Sequence, residues 1–315
     1  MTESEVFLQQ IITGLSNGMI IALIALGYTM VYGIVELINF AHGDLFMLGA
    51  FFALTLIGAL GLESIGGLGG VALLLLTVPV FCAGVNWCVD RFAYRPLRSA
   101  PRLAPLVSAI GVSFIFLNLG LFWGGVPMEV FNNGSAAASP KDFPALIDTG
   151  NLLGESVIQF SGRELLVFII TIPLLLGLTC LVKFTRMGKA MRAVAQNHTA
   201  ARLMGIDVDR TIGLTFIIGG ALAGVASVVY ALYNNTIFFQ MGFRVGIDAF
   251  TAAVLGGIGN LPGAMLGGLL LGLVRAMSDQ YISAEWTNVV VFGLLILLLT
   301  FRPAGLLGSR AREKV

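Results

Sequence analysis

An all-α, polytopic membrane fold is what this sequence predicts, on three observations. Apolar residues fill 57% of the 315 positions and charged ones only 11%. An ordinary soluble domain carries roughly 25% charged residues, so a water-facing surface cannot be built here. Apolar runs near the length a bilayer demands, about 20 residues, recur along the whole chain. The links between them differ in charge, which gives them sides. A single transmembrane domain over 1–315 follows. The net charge of +1 leaves no basic excess for nucleic acid.

Taken in order, the runs are Phe7–Val35, Ile38–Leu60, Gly70–Val89, Pro105–Trp123, Leu165–Val182, Thr211–Tyr233, Ala249–Met277 and Trp286–Phe301, about eight segments interrupted by few charges, chiefly Asp44 and Arg275. Glu3 and Glu5 precede the first run without any base. A cleavable signal begins with positive charge, so this run is expected to stay as a helix. Of 18 Lys and Arg, four lie in Arg91–Arg102, six in Lys183–Arg210 and four in Arg302–Lys314; these links should face the cytoplasm. Residues 124–164 hold Glu129, Asp142, Asp148, Glu155 and Glu164 against Lys141 and Arg163, and should form an outer, periplasmic loop. The same count puts the N-terminus outside, unless a break near Asn39–Gly43 reverses it.

Sidedness then constrains the seventh run. Arg210 and Arg302 share a side, so an even number of crossings separates them, and Ala249–Met277 must return to the side it came from. Its centre, Gly256-Gly257-Ile258-Gly259-Asn260-Leu261-Pro262-Gly263, is a poor continuous helix. Two half-helices in a re-entrant hairpin fit. Backbone freed at membrane depth survives only inside protein or beside a watery cavity, which makes Gly256, Gly257, Gly259, Asn260 and Pro262 candidates for a translocation path. Met47-Leu48-Gly49 echoes Met265-Leu266-Gly267, a faint sign of the internal repeats from which transporters are often built.

The chemistry is that of a conduit. No Gly-x-x-x-x-Gly-Lys-Ser/Thr loop occurs among four lysines, so ATP cannot be held here in the Walker manner and any ATP engine belongs to another subunit. Hydrolase motifs are missing and only His42 and His198 supply imidazole; no enzyme activity, cofactor or metal is expected. Cys82, Cys88 and Cys180 read as small buried hydrophobes. Glu36, Asn39, His42 and Asp44 crowd the first junction. Charges beside a span tend to face the bundle interior or water, so Asn39, His42 and Asp44 line the path or, on the other reading, cap helix ends at the interface. Asn17, Asn86, Asn118, Ser108 and Ser113 read as interhelical hydrogen-bonding groups, and Gly14/Gly18, Gly220/Gly224, Gly259/Gly263 and Gly268/Gly272 as sites of close backbone approach.

Residues 183–210 are the most informative link. Lys189–Gln196 is rich in helix formers. Asn197 or Thr199 can cap a second short helix through Met204, with Gly205 as its left-handed stop. That helix shows Ala200 and Ala201 and a hydrophobic tip, Leu203 and Met204, a profile suited to a groove on a partner. The plainer reading is a basic loop resting on anionic membrane lipid.

Three segments resemble branched-chain amino acid ABC transporter permeases: Leu26-Gly27-Tyr28-Thr29-Met30-Val31-Tyr32-Gly33-Ile34-Val35-Glu36-Leu37-Ile38-Asn39-Phe40-Ala41-His42-Gly43-Asp44, then Ala93-Tyr94-Arg95-Pro96-Leu97-Arg98, then Phe250 to Met265. The chain looks like the shorter of the two paired permease subunits. The resemblance implies an inner-membrane importer with a second, related permease, two cytoplasmic ATPase subunits and a periplasmic substrate-binding protein docking on 124–164. It implies an ATPase-coupling loop in 183–210, including Gly188, Ala195, Thr199, Ala200, Ala201, Leu203, Met204 and Gly205. The family's Glu-Ala-Ala-x-x-x-Gly motif maps onto Thr199–Gly205 with Thr199 replacing the acid. Branched-chain or other neutral amino acids are the expected cargo. Urea or short amides, moved by permeases of the same general family, are the alternative, followed by a stand-alone channel or facilitator.

Overall fold

The computed structural model describes residues 2–35, 39–62, 67–98, 100–101 and 103–308. Glu36, Arg102, Arg310, Arg312 and Lys314 lie outside the described residues. Among the described residues, seven helices are long and apolar enough to cross a membrane. These are α1 (Glu3–Val35), α2 (Ala41–Leu60), α3 (Gly67–Val89), α4 (Leu103–Gly124), α5 (Gly162–Phe184), α8 (Val208–Asn234) and α10 (Leu261–Tyr281). Two short helices, α6 (Arg186–Gln196) and α7 (His198–Leu203), fill the link between α5 and α8. The set is completed by α9 (Met241–Gly256) and α11 (Thr287–Phe301). The sole described strands, β1 (Lys141–Asp142) and β2 (Thr236–Ile237), pair antiparallel.

Helices in lipid gain little from hydrophobicity against one another and associate through close packing instead. The glycine pairs on α1 and α10 meet: a side chain at Gly18 would meet Leu269 and Gly268, and one at Gly272 would meet Gly18 and Gly14. Residue numbers rise on one helix as they fall on the other, so the pair is antiparallel. The same relation joins α3 to α8. Gly220 lies on Cys82 and Ala83, and Gly224 lies on Pro79, the proline inside α3. Gly259/Gly263 behaves differently: Gly263 packs on Gly256 and Gly259 faces Gly33 across the turn between α9 and α10. Cys82 is buried whereas Cys88 and Cys180 are exposed on the chain alone, which corrects the expectation for two of the three cysteines.

The bundle has two distinct ends. At one, Gln9 exchanges hydrogen bonds with Gln159 at 3.1 and 2.7 Å, and Gln10 donates to Gln280 at 3.1 Å. The N-terminus, residues 124–164 and the end of α10 therefore sit together. Buried Lys141 knits that loop, donating to the carbonyls of Phe131, Ser135 and Ala136, each at 3.2 Å. The opposite end carries the basic links and α6–α7; His198 lies 3.4 Å from the Ile34 carbonyl there.

Chain path and contacts amount to an inverted repeat. The segment α1–α4 corresponds to α8–α11, because α1 packs antiparallel on α10 as α8 packs antiparallel on α3. The helices that follow α1 and α8, namely α2 and α9, touch at Gly43, Gly242 and Gly246. The Met-Leu-Gly echo does not mark this relation: Met47–Gly49 lies on α2 and Met265–Gly267 on α10, which are not counterparts. The seventh run does return to its starting end, but not as two half-helices. The first arm begins at Met241, eight residues earlier than Ala249, and the second is a span of 21 residues reaching Tyr281. Small residues all along α10 let it pair with α1 over its length, so it does not stop halfway.

Candidate functional site

Asn39 is not helical and stands just ahead of α2. Its carbonyl accepts the His42 amide at 3.1 Å, which sets the first turn of α2, and its side-chain oxygen accepts the Tyr94 hydroxyl at 2.8 Å. That turn sits within the bundle and not at its rim. A side chain at Gly27, eight residues before the end of α1, would strike the His42 ring, and the Gly219 carbonyl lies close by. The His42 ring meets Tyr28 edge-on with centroids 4.7 Å apart.

Asp44 is 1% exposed, and the Ser113 hydroxyl of α4 donates to Oδ2. Its Oδ1 has no hydrogen-bond partner among the described residues, and neither has the amide nitrogen of Asn39. Oδ1 instead lies where a side chain at Gly242 would be, 2.7 Å away. The starts of α2 and α9 both carry partial positive charge, so a carboxylate between them is favoured. The unmet atoms are still costly. Buried polar atoms in a native protein are nearly always paired, so a site with spare valences at this depth is suited to water or a polar solute.

The second break holds Gly257 and Gly259 at φ 103° and 91°, values that favour glycine. Asn260 caps α10, its Oδ1 accepting the Gly263 amide at 3.1 Å while its Nδ2 donates to the Leu307 carbonyl at 2.7 Å. Pro262 stands in the first turn of α10, where its missing N–H costs nothing. A cavity of about 670 Å³ beside it is lined by Thr179, Lys183, Arg192, Asn260, Pro262 and Leu307 among others. The path candidates therefore fall into two groups. Asn39, His42 and Asp44 gather near the start of α9, while Gly256, Gly257, Gly259, Asn260 and Pro262 lie at its other end, a helix length of about 24 Å away.

In residues 183–210, Thr185 caps α6, its hydroxyl accepting the Gly188 amide at 3.0 Å, and Gly188 packs on the Leu181 and Val182 carbonyls. Asn197, not Thr199, caps α7, accepting the Ala200 amide at 2.9 Å. Ala201 is buried and Ala195 half-buried, whereas Thr199 and Ala200 are exposed; Leu203 and Met204 are 83% and 82% exposed. Gly205 has φ 79°. Then Asp207 caps α8 through the Arg210 amide at 2.9 Å.

Several contacts escaped the sequence reading. Asp209 pairs with Arg95 at 2.9 Å and with Arg98, and Arg98 also holds buried Asp90. Arg275 pairs with Asp248 and donates to Asn288 at 3.2 Å; Asp248 stands one residue before the apolar run Ala249–Met277. Of the polar residues inside spans, Asn86 donates to the Phe216 carbonyl of another helix at 2.6 Å, whereas Asn118 bonds its own helix. No group of three or more His, Cys, Asp or Glu that could hold a metal is found among the described residues.

Residues 10–299 match the family model described as the permease component of the branched-chain amino acid transport system. The chain is 42% identical to the high-affinity branched-chain amino acid transport system permease protein BraD of Pseudomonas aeruginosa, over 98% of both chains. It is equally identical, over the same shares, to the corresponding permease protein LivH of Escherichia coli K12. A probable branched-chain amino acid transport permease of Methanocaldococcus jannaschii is 28% identical over 92% of this chain and 89% of its own. No solved structure matches.

Proposed function

The chain belongs to the branched-chain amino acid permease family, and from that membership we propose that it is one permease subunit of an ATP-driven importer in the inner membrane, forming part of the path for branched-chain or other neutral amino acids. The observation that carries the reading is the end-to-end likeness to relatives named for that transport, over 98% of both chains. Separate ATPase subunits hydrolyse ATP and grip α6–α7, whose Leu203–Met204 tip offers a hydrophobic knob to a groove. A second, related permease covers the exposed apolar flank of α4 and α5. A periplasmic binding protein docks on 124–164, beside a cavity of about 800 Å³ lined by Ile57, Met128, Glu129, Asp142 and Leu146 among others. Cargo passes the first turn of α2, where Asp44 keeps an unmet carboxylate oxygen.

The test is reconstitution of the chain in vesicles with these partners, followed by uptake of labelled leucine, valine, alanine and urea. ATP-dependent uptake of leucine or valine is expected. Flux through the chain alone without ATP, or preferential uptake of urea, overturns the reading.

A further inference from the structure

Resting on the reading of α6–α7 as the face that meets an ATPase, we infer that Tyr94 and Asn39 carry the movement of that face to the first turn of α2. The route is continuous in hydrogen bonds and ion pairs. Downstream of the exposed tip, Asp207 caps α8, and Asp209 in the first turn of α8 is held by Arg95 and Arg98. Arg98 grips buried Asp90 with its other nitrogen, so one planar guanidinium joins two elements. Partly buried pairs of this kind are screened little by salt. Between these charges, Asp90–Tyr94 forms a single π turn. Its last residue reaches Asn39 at 2.8 Å, with Tyr94 5% and Asn39 4% exposed. Asn39 in turn fixes the His42 amide. A displacement of the start of α8 thus reaches the turn that holds His42 and Asp44.

A plain seal at this place would use Phe against an apolar side chain and avoid burying two polar groups. Tyr94 to Asn39 is the one side-chain hydrogen bond among the described residues between link 90–98 and the entrance to α2. Both are positioning residues, acting on the path through α2.

The experiment measures amino acid taken up per ATP hydrolysed by the full assembly in vesicles. Tyr94→Phe is expected to lower this ratio about fivefold, in line with the coupling energies of such networks, while the ATPase subunits still co-purify. Asn39→Leu should act alike, and the double variant should be no worse than the worse single one. Asn39→Asp keeps an acceptor for the tyrosine and should restore most of the ratio. It also decides the matter if Tyr94→Phe assembles poorly, because a ratio as low as that of Asn39→Leu overturns the inference. An unchanged ratio in Tyr94→Phe, or losses that multiply in the double variant, overturns it too. A wild-type assembly that moves no amino acid removes the functional reading itself, a distinct result.

Discussion

The break ahead of α2 and the break between α9 and α10 interrupt the helical path with different materials. The first is built from side chains at depth: Asn39 on Tyr94, Asp44 on Ser113, His42 against Tyr28, all wedged between glycine-lined helices. It keeps side-chain polar atoms of Asn39, His42 and Asp44 without a hydrogen-bond partner. The second is built from backbone, with two glycines at positive φ and an asparagine that satisfies the helix start. One break retains unused polar capacity and the other uses what it has. That difference teaches where chemistry is to be sought: at the break whose hydrogen bonds are incomplete.

Filling the first break should have the largest effect. A side chain at Gly43 would strike the Gly242 carbonyl and the Gly246 Cα, both backbone. Overpacking costs typically about 1–3 kcal/mol and occasionally more, and backbone atoms this close place the variant at the upper end of that range. Gly43→Val is therefore expected to abolish recovery of monodisperse protein by size-exclusion chromatography. Gly69→Val, which meets nothing within 4 Å, is the control and should behave as wild type. Normal recovery of Gly43→Val would mean that α2 and α9 do not pack closely there, and the contrast between the breaks would lose its basis.

Asp44→Leu comes next. It removes the carboxylate and leaves the Ser113 hydroxyl without its partner. A fully buried hydroxyl left unpaired costs about 1–3 kcal/mol, and Ser113 is only half-buried, so the loss is tolerable. Uptake is expected to fall on the order of tenfold, the size of a lost transition-state contact of 1.4 kcal/mol, while assembly persists. Asp44→Asn keeps an acceptor for Ser113 and should recover part of the flux. Uptake equal to wild type in Asp44→Leu would assign the residue to helix capping, the plainer of the two readings open from the sequence.

Gly205→Val probes the elbow that we propose moves the first break. The glycine has φ 79° with open space around its missing side chain, so the penalty is conformational alone, roughly 1–2 kcal/mol. Membrane insertion should be normal while ATPase co-purification falls severalfold. Undiminished transport by this variant would detach α7 from any coupling role.

What was legible in the sequence divides along the same line as the two breaks. The Gly256–Gly263 interruption, the Asn197 cap and the Gly205 stop are local: a few consecutive residues fix φ or satisfy a nearby amide, and composition reveals them. The spans were legible for a similar reason, since each is a contiguous apolar run. Tyr94 with Asn39 and Arg98 with Asp209 join positions 55 and 111 residues apart, and no periodicity encodes such a meeting. The buried post of Lys141 in residues 124–164 was read only as a charge, because the three carbonyls around it come from backbone turns. Two half-helices were expected because the break Gly256–Gly263 falls near the middle of one apolar run, too short on either side for a full span. In fact Asn260, Pro262 and Gly263 form the N-terminus of α10, where Asn, Pro and Gly are all favourable.

The smallest expected effect belongs to the second break, and it sets a limit on the contrast. Asn260 does two things there: Oδ1 caps α10 and Nδ2 holds Leu307 near the end of the chain. Losing an N-cap costs about 1 kcal/mol, so Asn260→Ala should lower the melting temperature by a few degrees and leave uptake within about twofold of wild type. Asn260→Asp keeps the cap, loses the donor to Leu307 and should be the milder of the two, because an acid at a helix start is favoured. Thermal melts of both variants in detergent, beside uptake in vesicles, separate stability from flux. If Asn260→Ala stopped uptake while Asp44→Leu did not, the second break would be the working one. A satisfied backbone turn would then matter more to the solute than unmet side-chain atoms at depth.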